Sequence, residues 1–156
     1  FNRVVCTPSI GAWKAAVELY KHTVPNKASG DPTKLAGDTQ VQERIANALN
    51  GIDEMEALLF RNFDVMMALV EAGEAVPVED RVRYRYHASL VITKSIEIID
   101  SLFEVAGGQS VFLGSEIQQR FLDIHTARAH VANNPTSFAR NLGGVGLGMD
   151  NGDFFV

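Results

Sequence analysis

The fold is decided by the stretch from Val41 to Val70, which reads VQERIANALNGIDEMEALLFRNFDVMMALV. It contains one glycine, Gly51, and no proline, although these two residues most often interrupt regular structure. Its apolar side chains recur at steps of three and four residues, the period of one face of an α-helix. The members of this apolar stripe are Val41, Ile45, Ala48, Ile52, Met55, Leu59, Phe63, Met66 and Val70. The pattern predicts a helix of about nine turns, on the order of 50 Å long, which ends at Gly73 before a turn closed by Pro77.

A second long helix is predicted to begin at Val78 or Glu79 and to end at Gly107-Gly108. Its inward face is predicted to contain Ala88, Ile92, Ser95, Ile99, Leu102 and Ala106. Its first turns are strongly charged, which we interpret as a solvated face. These charged residues are Glu79, Asp80, Arg81, Arg83 and Arg85. The short turn between the two long helices makes them antiparallel.

The remaining segments add shorter helices and no strand of convincing alternation. The predicted helices are Ile10 to about His22 with Ser9 as N-cap, Ser115 to about Val131 with Ser115 as N-cap, and Thr136 to Asn141. The segment 23–37 is predicted to be a long loop, and the glycine-rich segment 143–148 a flexible connector. We therefore expect an all-α fold, an antiparallel up-and-down four-helix bundle. Because helices this long and apolar often bury a further face against another subunit, we also expect an oligomer.

Composition excludes several classes of function. The 156 residues suit one domain, and 14 basic against 19 acidic residues give a net charge of -5, which disfavours nucleic-acid binding. The longest apolar run, Val65 to Val70, is far too short to span a membrane. Cys6 is the only cysteine, so we expect a reducing, cytoplasmic compartment. Because the chain begins at Phe1 and not at Met, we expect it to be a piece of a longer protein.

The four histidines do not suggest a metal site. A di-iron bundle needs Glu-x-x-His pairs that point inward from two helices, and the sequence contains no such pair. His125 and His130 are five residues apart, about 140° around a helix, so they cannot chelate one ion as an i, i+4 pair would.

Two segments could carry chemistry, and the residues alone leave each open. The turn from Gly107 to Ser110 is either a helix cap followed by a turn, or a place where backbone N–H groups, with Gln109 and Ser110, approach a ligand closely. His130 is predicted to share one helical face with Arg120 and Asp123, which are spaced to form a salt bridge. A histidine at a helix end is either an acid or base near neutral pH or a partner of the helix dipole.

Several short motifs, in order, resemble the C-terminal domain of flavin-dependent monooxygenases built on the acyl-CoA dehydrogenase fold. The residues that carry the resemblance are Leu102–Ser110 (LFEVAGGQS), Gln119-Arg120, Asp123, His130, Asn133-Asn134-Pro135 and Phe154-Phe155. The layout also agrees: a helix, a loop with Asp31-Pro32, two long helices, the diglycine turn and the histidine helix. These enzymes are the oxygenase components of two-component aromatic hydroxylases, such as 4-hydroxyphenylacetate, seco-steroid phenol and dibenzothiophene monooxygenases.

The resemblance implies a function for the whole chain, residues 1–156, as the C-terminal helical bundle of a longer enzyme. Such enzymes take reduced FMN or FAD from a separate flavin reductase, form a C4a-hydroperoxide with oxygen and hydroxylate an aromatic substrate. The bundle would form the core of a homotetramer, a dimer of dimers, and contribute to the flavin site, often across a subunit boundary.

The resemblance also implies roles for individual residues. Gly107, Gly108, Gln109 and Ser110 would face the flavin. His130 would lie beside the isoalloxazine and deprotonate or hydrogen-bond the substrate phenol, within reach of the diglycine corner.

Two other functions stay open at this point. One is the C-terminal domain of an acyl-CoA dehydrogenase with tightly bound FAD, which would need a carboxylate base. The other is a non-catalytic helical oligomerisation module, because the apolar stripes by themselves provide an association surface.

Overall fold

The computed structural model describes residues 2–23 and 36–156, and this part of the chain is built from helices without strands. The α-helices are α1 (Asn2–Thr23), α2 (Thr39–Glu71), α3 (Val78–Val105), α4 (Glu116–Ala127) and α5 (Pro135–Gly146). Two short 3-10 helices span Gly108–Val111 and Val131–Asn133. Helices α1 to α4 pack as a bundle, and α5 lies against α3. The predicted all-α four-helix bundle is therefore confirmed.

The two long helices form where the apolar stripes predicted them. Asp38 caps α2, because its carboxylate accepts hydrogen bonds from the backbone N–H of Gln40 at 2.8 Å and of Val41 at 3.4 Å. Gly73 follows the end of α2 with a φ of 75°, a left-handed conformation that favours glycine. The inward residues predicted for α3, from Ala88 to Ala106, are all buried.

Helix α1 begins earlier than predicted. It starts at Asn2 and runs through Pro8, so Ser9 is a buried residue inside the helix and not its N-cap. Pro8 costs α1 one backbone hydrogen bond, because proline has no N–H. The side chain of Cys6, two residues before Pro8, is nevertheless buried in the core. That burial favours continuing the helix. Most of the predicted loop 23–37 lies outside the described residues.

Arg85 corrects the interpretation of the first turns of α3 as a solvated face. Its side chain is only 4% exposed, and its Nε lies 3.3 Å from a carboxylate oxygen of Asp153. Its guanidinium also stacks over the ring of Phe138 on α5, 4.0 Å from the ring centre. The charge is buried because a carboxylate distant in sequence and an aromatic face meet it there.

The glycine-rich segment is also different from the prediction. Gly143, Gly144 and Gly146 lie inside α5 and not in a flexible connector. Asn134 caps this helix by accepting a hydrogen bond from Thr136 N–H at 3.1 Å, and Pro135 occupies its first turn. Because α5 packs on α3 with Phe138 buried, tertiary contact outweighs the low helix propensity of glycine.

The apolar stripe of α2 is covered along only part of its length. The 33 residues of α2 extend about 50 Å, whereas the 22 residues of α1 extend about 33 Å. Beyond Leu59, where Met66 and Leu69 are half-buried, four exposed apolar side chains of α2 follow one another at steps of three and four residues: Phe60 at 60%, Phe63 at 39%, Met67 at 39% and Val70 at 59%. We call these four residues the α2 overhang. An exposed apolar surface of this kind is typical of an association site.

The lack of a side chain at Gly51 makes room for the largest buried side chain of the core. A Cβ at this position would lie 2.9 Å from Cζ2 and Cη2 of Trp13, which is fully buried.

We expect Gly51→Ala to lower the free energy of unfolding by about 1–3 kcal/mol, because the indole has no room to withdraw. Gly11→Ala is the matched control, since nothing lies within 4 Å of its Cβ position in α1. That change should stabilise the chain by up to about 1 kcal/mol. Urea unfolding of both variants measures the difference, and the same sign for both would contradict the packing described.

Candidate functional site

The diglycine turn joins the end of α3 to the first 3-10 helix. Gly107 has a φ of 78°, and it and Gly108 are exposed. The backbone N–H of Ser110 donates to the Gly107 carbonyl at 3.0 Å, and the buried Ser110 hydroxyl donates to the same oxygen. Ser110 therefore closes the turn from inside, and the surface offered to a ligand is that of the two glycines. The Gln109 side chain lies outside the described part of the structure.

Helix α4 ends at Ala127, four residues before the predicted Val131. The side-chain amide of Asn133 donates a hydrogen bond to the Ala127 carbonyl at 2.8 Å. It thereby pairs one of the carbonyl groups that have no partner within the helix at the C-terminal end of α4. His130 therefore lies beyond α4 and does not share a helical face with Arg120 and Asp123. The predicted ion pair between those two residues is present, with Nη1 of Arg120 3.6 Å from Oδ2 of Asp123.

His130 caps the second 3-10 helix. The side chain is exposed, and its Nδ1 accepts a hydrogen bond from the backbone N–H of Ala132 at 3.1 Å. The alternative interpretation makes His130 a partner of the helix dipole. His125 is better placed for that role, because it occupies the last turn of α4. A backbone amide two residues further along the chain thus helps to orient the His130 ring.

The diglycine turn and His130 lie at opposite ends of α4. This helix has 12 residues, so its ends are about 18 Å apart along the axis. The first 3-10 helix packs against α4, whereas the second packs against α3 and α1. Within one chain, therefore, α4 separates the two predicted parts of the site, and an imidazole within reach of the diglycine corner, from the same or a neighbouring protomer, stays a prediction.

Two other histidines pair with side chains on neighbouring helices. Nε2 of His125 on α4 lies 2.7 Å from Oδ1 of Asp100 on α3. Nδ1 of His87 lies 2.9 Å from Nδ2 of the buried Asn62 on α2. Burial lowers the pKa of His87, and the nearby guanidinium groups of Arg61 and Arg83 lower it further. Both histidines link helices of the bundle, which periodicity within single helices does not reveal.

The same α2–α3 junction contains a cleft of about 300 Å³. Its lining includes Asn62, Phe63, Tyr84, Arg85 and Phe155. Two larger open grooves, of about 610 and 490 Å³, lie between α2 and α3 and beside α5. None of these three is lined by the diglycine turn or by His130; Gly107, Gly108 and His130 are exposed on an outer surface of the bundle.

Neither a metal centre nor a membrane span is found in residues 2–23 and 36–156. No three side chains among their His, Cys, Asp and Glu residues come together as possible metal ligands. The helices of this part are also too short or too polar to cross a bilayer.

Comparison with known proteins identifies related chains. The family model described as "Acyl-CoA dehydrogenase, C-terminal domain" matches residues 3–135. The oxygenase subunit HsaA of a flavin-dependent monooxygenase from Mycobacterium tuberculosis is 33% identical over 146 residues, which are 94% of this chain and 36% of that protein. The oxygenase component of an FADH2-dependent resorcinol hydroxylase from Rhizobium is 24% identical over 155 residues, 94% of this chain and 38% of that protein.

Solved structures agree with this result. The HsaA monooxygenase from M. tuberculosis superimposes with a TM-score of 0.88 at 28% identity, over 99% of this chain and 39% of that chain. The 3-HSA hydroxylase from Rhodococcus sp. RHA1 superimposes with a TM-score of 0.87 at 28% identity, with the same coverage. The present chain thus spans somewhat more than a third of the length of these relatives.

The two glycines of the turn should respond differently to substitution. Gly107→Ala places a Cβ at a φ of 78° and should lower the free energy of unfolding by about 1–2 kcal/mol. Gly108→Ala meets nothing within 4 Å and should change it by less than about 0.5 kcal/mol. Urea denaturation of the two variants measures both values. Equal losses would show that the turn does not have the described conformation.

Proposed function

The chain belongs to the acyl-CoA dehydrogenase C-terminal domain family, and on this premise we propose that it is the C-terminal helical domain of a longer reduced-flavin-dependent monooxygenase. The enzyme would hydroxylate an aromatic, phenolic substrate. The observation that carries the proposal is the match to monooxygenase oxygenase subunits along 94% of this chain, at about a third of their length. The missing two thirds would contain the remaining walls of the active site.

The residues on the outer surface of the bundle fit a flavin as cofactor. The exposed glycines allow a ligand to approach the backbone, because a Cβ built at Gly108 meets only open space. His130 adds an exposed imidazole at the other end of α4. Reduced flavin, when bound, supplies the electrons that activate oxygen. The names of the relatives, an oxygenase component and an FADH2-dependent hydroxylase, support FADH2 delivered by a separate reductase.

His130 would be the catalytic residue that this domain contributes. An imidazole is a hydrogen-bonding group of suitable strength for a phenol near neutral pH. A hydrogen bond to the phenolic oxygen stabilises negative charge there and raises electron density on the ring carbon that receives oxygen. Gly107 and Gly108 would bind and orient the cofactor and would take no part in proton transfer.

We further propose that the flavin site is shared between protomers of a homo-oligomer, a tetramer arranged as a dimer of dimers. The length of α4, about 18 Å, supports this arrangement, because the helix separates the turn from His130 within one chain and a second protomer can bring its own His130 to the turn. The α2 overhang offers an apolar surface for such association.

Replacement of His130 tests the proposed chemistry. In the full-length enzyme, His130→Ala should lower the yield of hydroxylated product per oxygen consumed by about 100-fold or more. Oxygen consumption by the bound reduced flavin should continue, because the flavin itself reacts with oxygen. Product chromatography with an oxygen electrode measures both quantities, and His22→Ala, another exposed histidine, is the control.

Two results would contradict this assignment. An unchanged product yield in the His130→Ala enzyme would remove His130 from the mechanism. A full-length protein that purifies with tightly bound yellow FAD and oxidises acyl-CoA thioesters would instead be an acyl-CoA dehydrogenase.

Complementation between two inactive variants tests the shared site. Gly108→Leu should obstruct the cofactor at the turn, and His130→Ala should disable the imidazole. If one flavin takes its turn and its histidine from different protomers, mixed oligomers contain some sites with no defect. Random pairing about a two-fold axis should then restore about a quarter of the wild-type sites. If each site is built from one chain, the mixture should have no more hydroxylase activity than the variants alone, and the shared site would be wrong.

A further inference from the structure

The turn that carries His130 is fixed at both ends by hydrogen bonds within seven residues. Its first end is Ala127, whose carbonyl accepts the Asn133 side-chain amide at 2.8 Å and the backbone N–H of His130 at 3.3 Å. Its other end is Asn133, whose backbone N–H donates to the His130 carbonyl at 2.9 Å. The Asn133 side chain is buried, only 2% exposed, so the bridge to Ala127 is shielded from competing water.

The same turn determines where the imidazole carries its proton. Nδ1 of His130 faces the backbone N–H of Ala132 at 3.1 Å, and a backbone N–H can only donate. Nδ1 must therefore be the acceptor, and a neutral imidazole with Nδ1 unprotonated has its proton on Nε2. The hydrogen bond exists only while the turn keeps the Ala132 N–H directed at Nδ1.

We propose that Asn133 is a positioning residue that holds His130, through the Ala132 amide, as the Nε2–H tautomer. The catalytic consequence of this inference rests on the proposed function, whereas the tautomer itself is independent of that function. In this form the side chain donates from Nε2 and has its basic nitrogen occupied. His130 would therefore stabilise negative charge on the phenolic oxygen as a hydrogen-bond donor, and a different group would accept the phenol proton.

The tautomer can be measured without flavin or substrate. The probe is the full-length apoenzyme labelled with ¹⁵N in its histidine rings, and NMR distinguishes protonated from unprotonated ring nitrogens. The His130 signals are assigned by their loss in His130→Gln. At a pH where the ring is neutral, we expect Nδ1 unprotonated and Nε2 protonated.

Two variants of Asn133 test its role. Asn133→Asp keeps the shape of the side chain but removes the amide donor, and Asn133→Ala removes both. Each should convert the His130 signals to a mixture of tautomers and lower the product yield per oxygen by about tenfold or more, the scale on which small misplacements of a reacting group act. The matched control is Asn134→Ala, because the side chain of this exposed neighbour caps α5 by accepting from Thr136, and the substitution keeps its backbone N–H, which donates to the Val131 carbonyl at 3.2 Å.

The outcomes separate this inference from the proposed function. A wild-type ring with its proton on Nδ1 would overturn the inference, as would Asn133 variants whose His130 signals change no more than those of Asn134→Ala. If the tautomer is as stated but His130→Gln hydroxylates as well as wild type, the positioning by Asn133 stands, and the catalytic role of His130 is wrong.

Discussion

Burial of α3 is the constraint on which the rest of the structure depends, because all four other α-helices pack against it. Its inward face combines large apolar residues, such as Ile92 and Ile99, with small ones that admit neighbouring helices closely. Ser89 and Ser95 are fully buried there, and their hydroxyls donate to carbonyls of the same helix at 2.6 and 2.8 Å. The two hydroxyl groups therefore need no hydrogen-bond partner on another helix. The surface of α3 that packs against its neighbours behaves as an apolar one.

The features that could be predicted from the sequence were those that repeat along one helix. The stripes of α2 and α3 indicated both long helices and their antiparallel turn, because their period is set by the helix itself. The features that could not be predicted depend on distant partners. Arg85 is buried because Asp153 meets it, and the glycines of α5 are helical because α3 supports them. In both cases tertiary contact outweighed the local preference.

The candidate site shows the same division. The residue types of the diglycine turn and His130 were visible in the sequence, and the resemblance assigned them to one flavin. Their separation by the full length of α4 required the structure, because it depends on where that helix ends. The end is determined by Asn133, whose side-chain bond to Ala127 spans six residues and has no periodic signature.

The ion pair between Arg85 and Asp153 has a consequence for the order in which the chain can mature. The two residues are separated by 68 positions, so a ribosome working at 5–20 residues per second adds Asp153 roughly 3–14 s after Arg85. During that interval the nascent helix cannot bury its guanidinium against this carboxylate. Final docking of α5 on α3 is thereby delayed until Asp153 has been added, while the earlier helices have time to pack against one another.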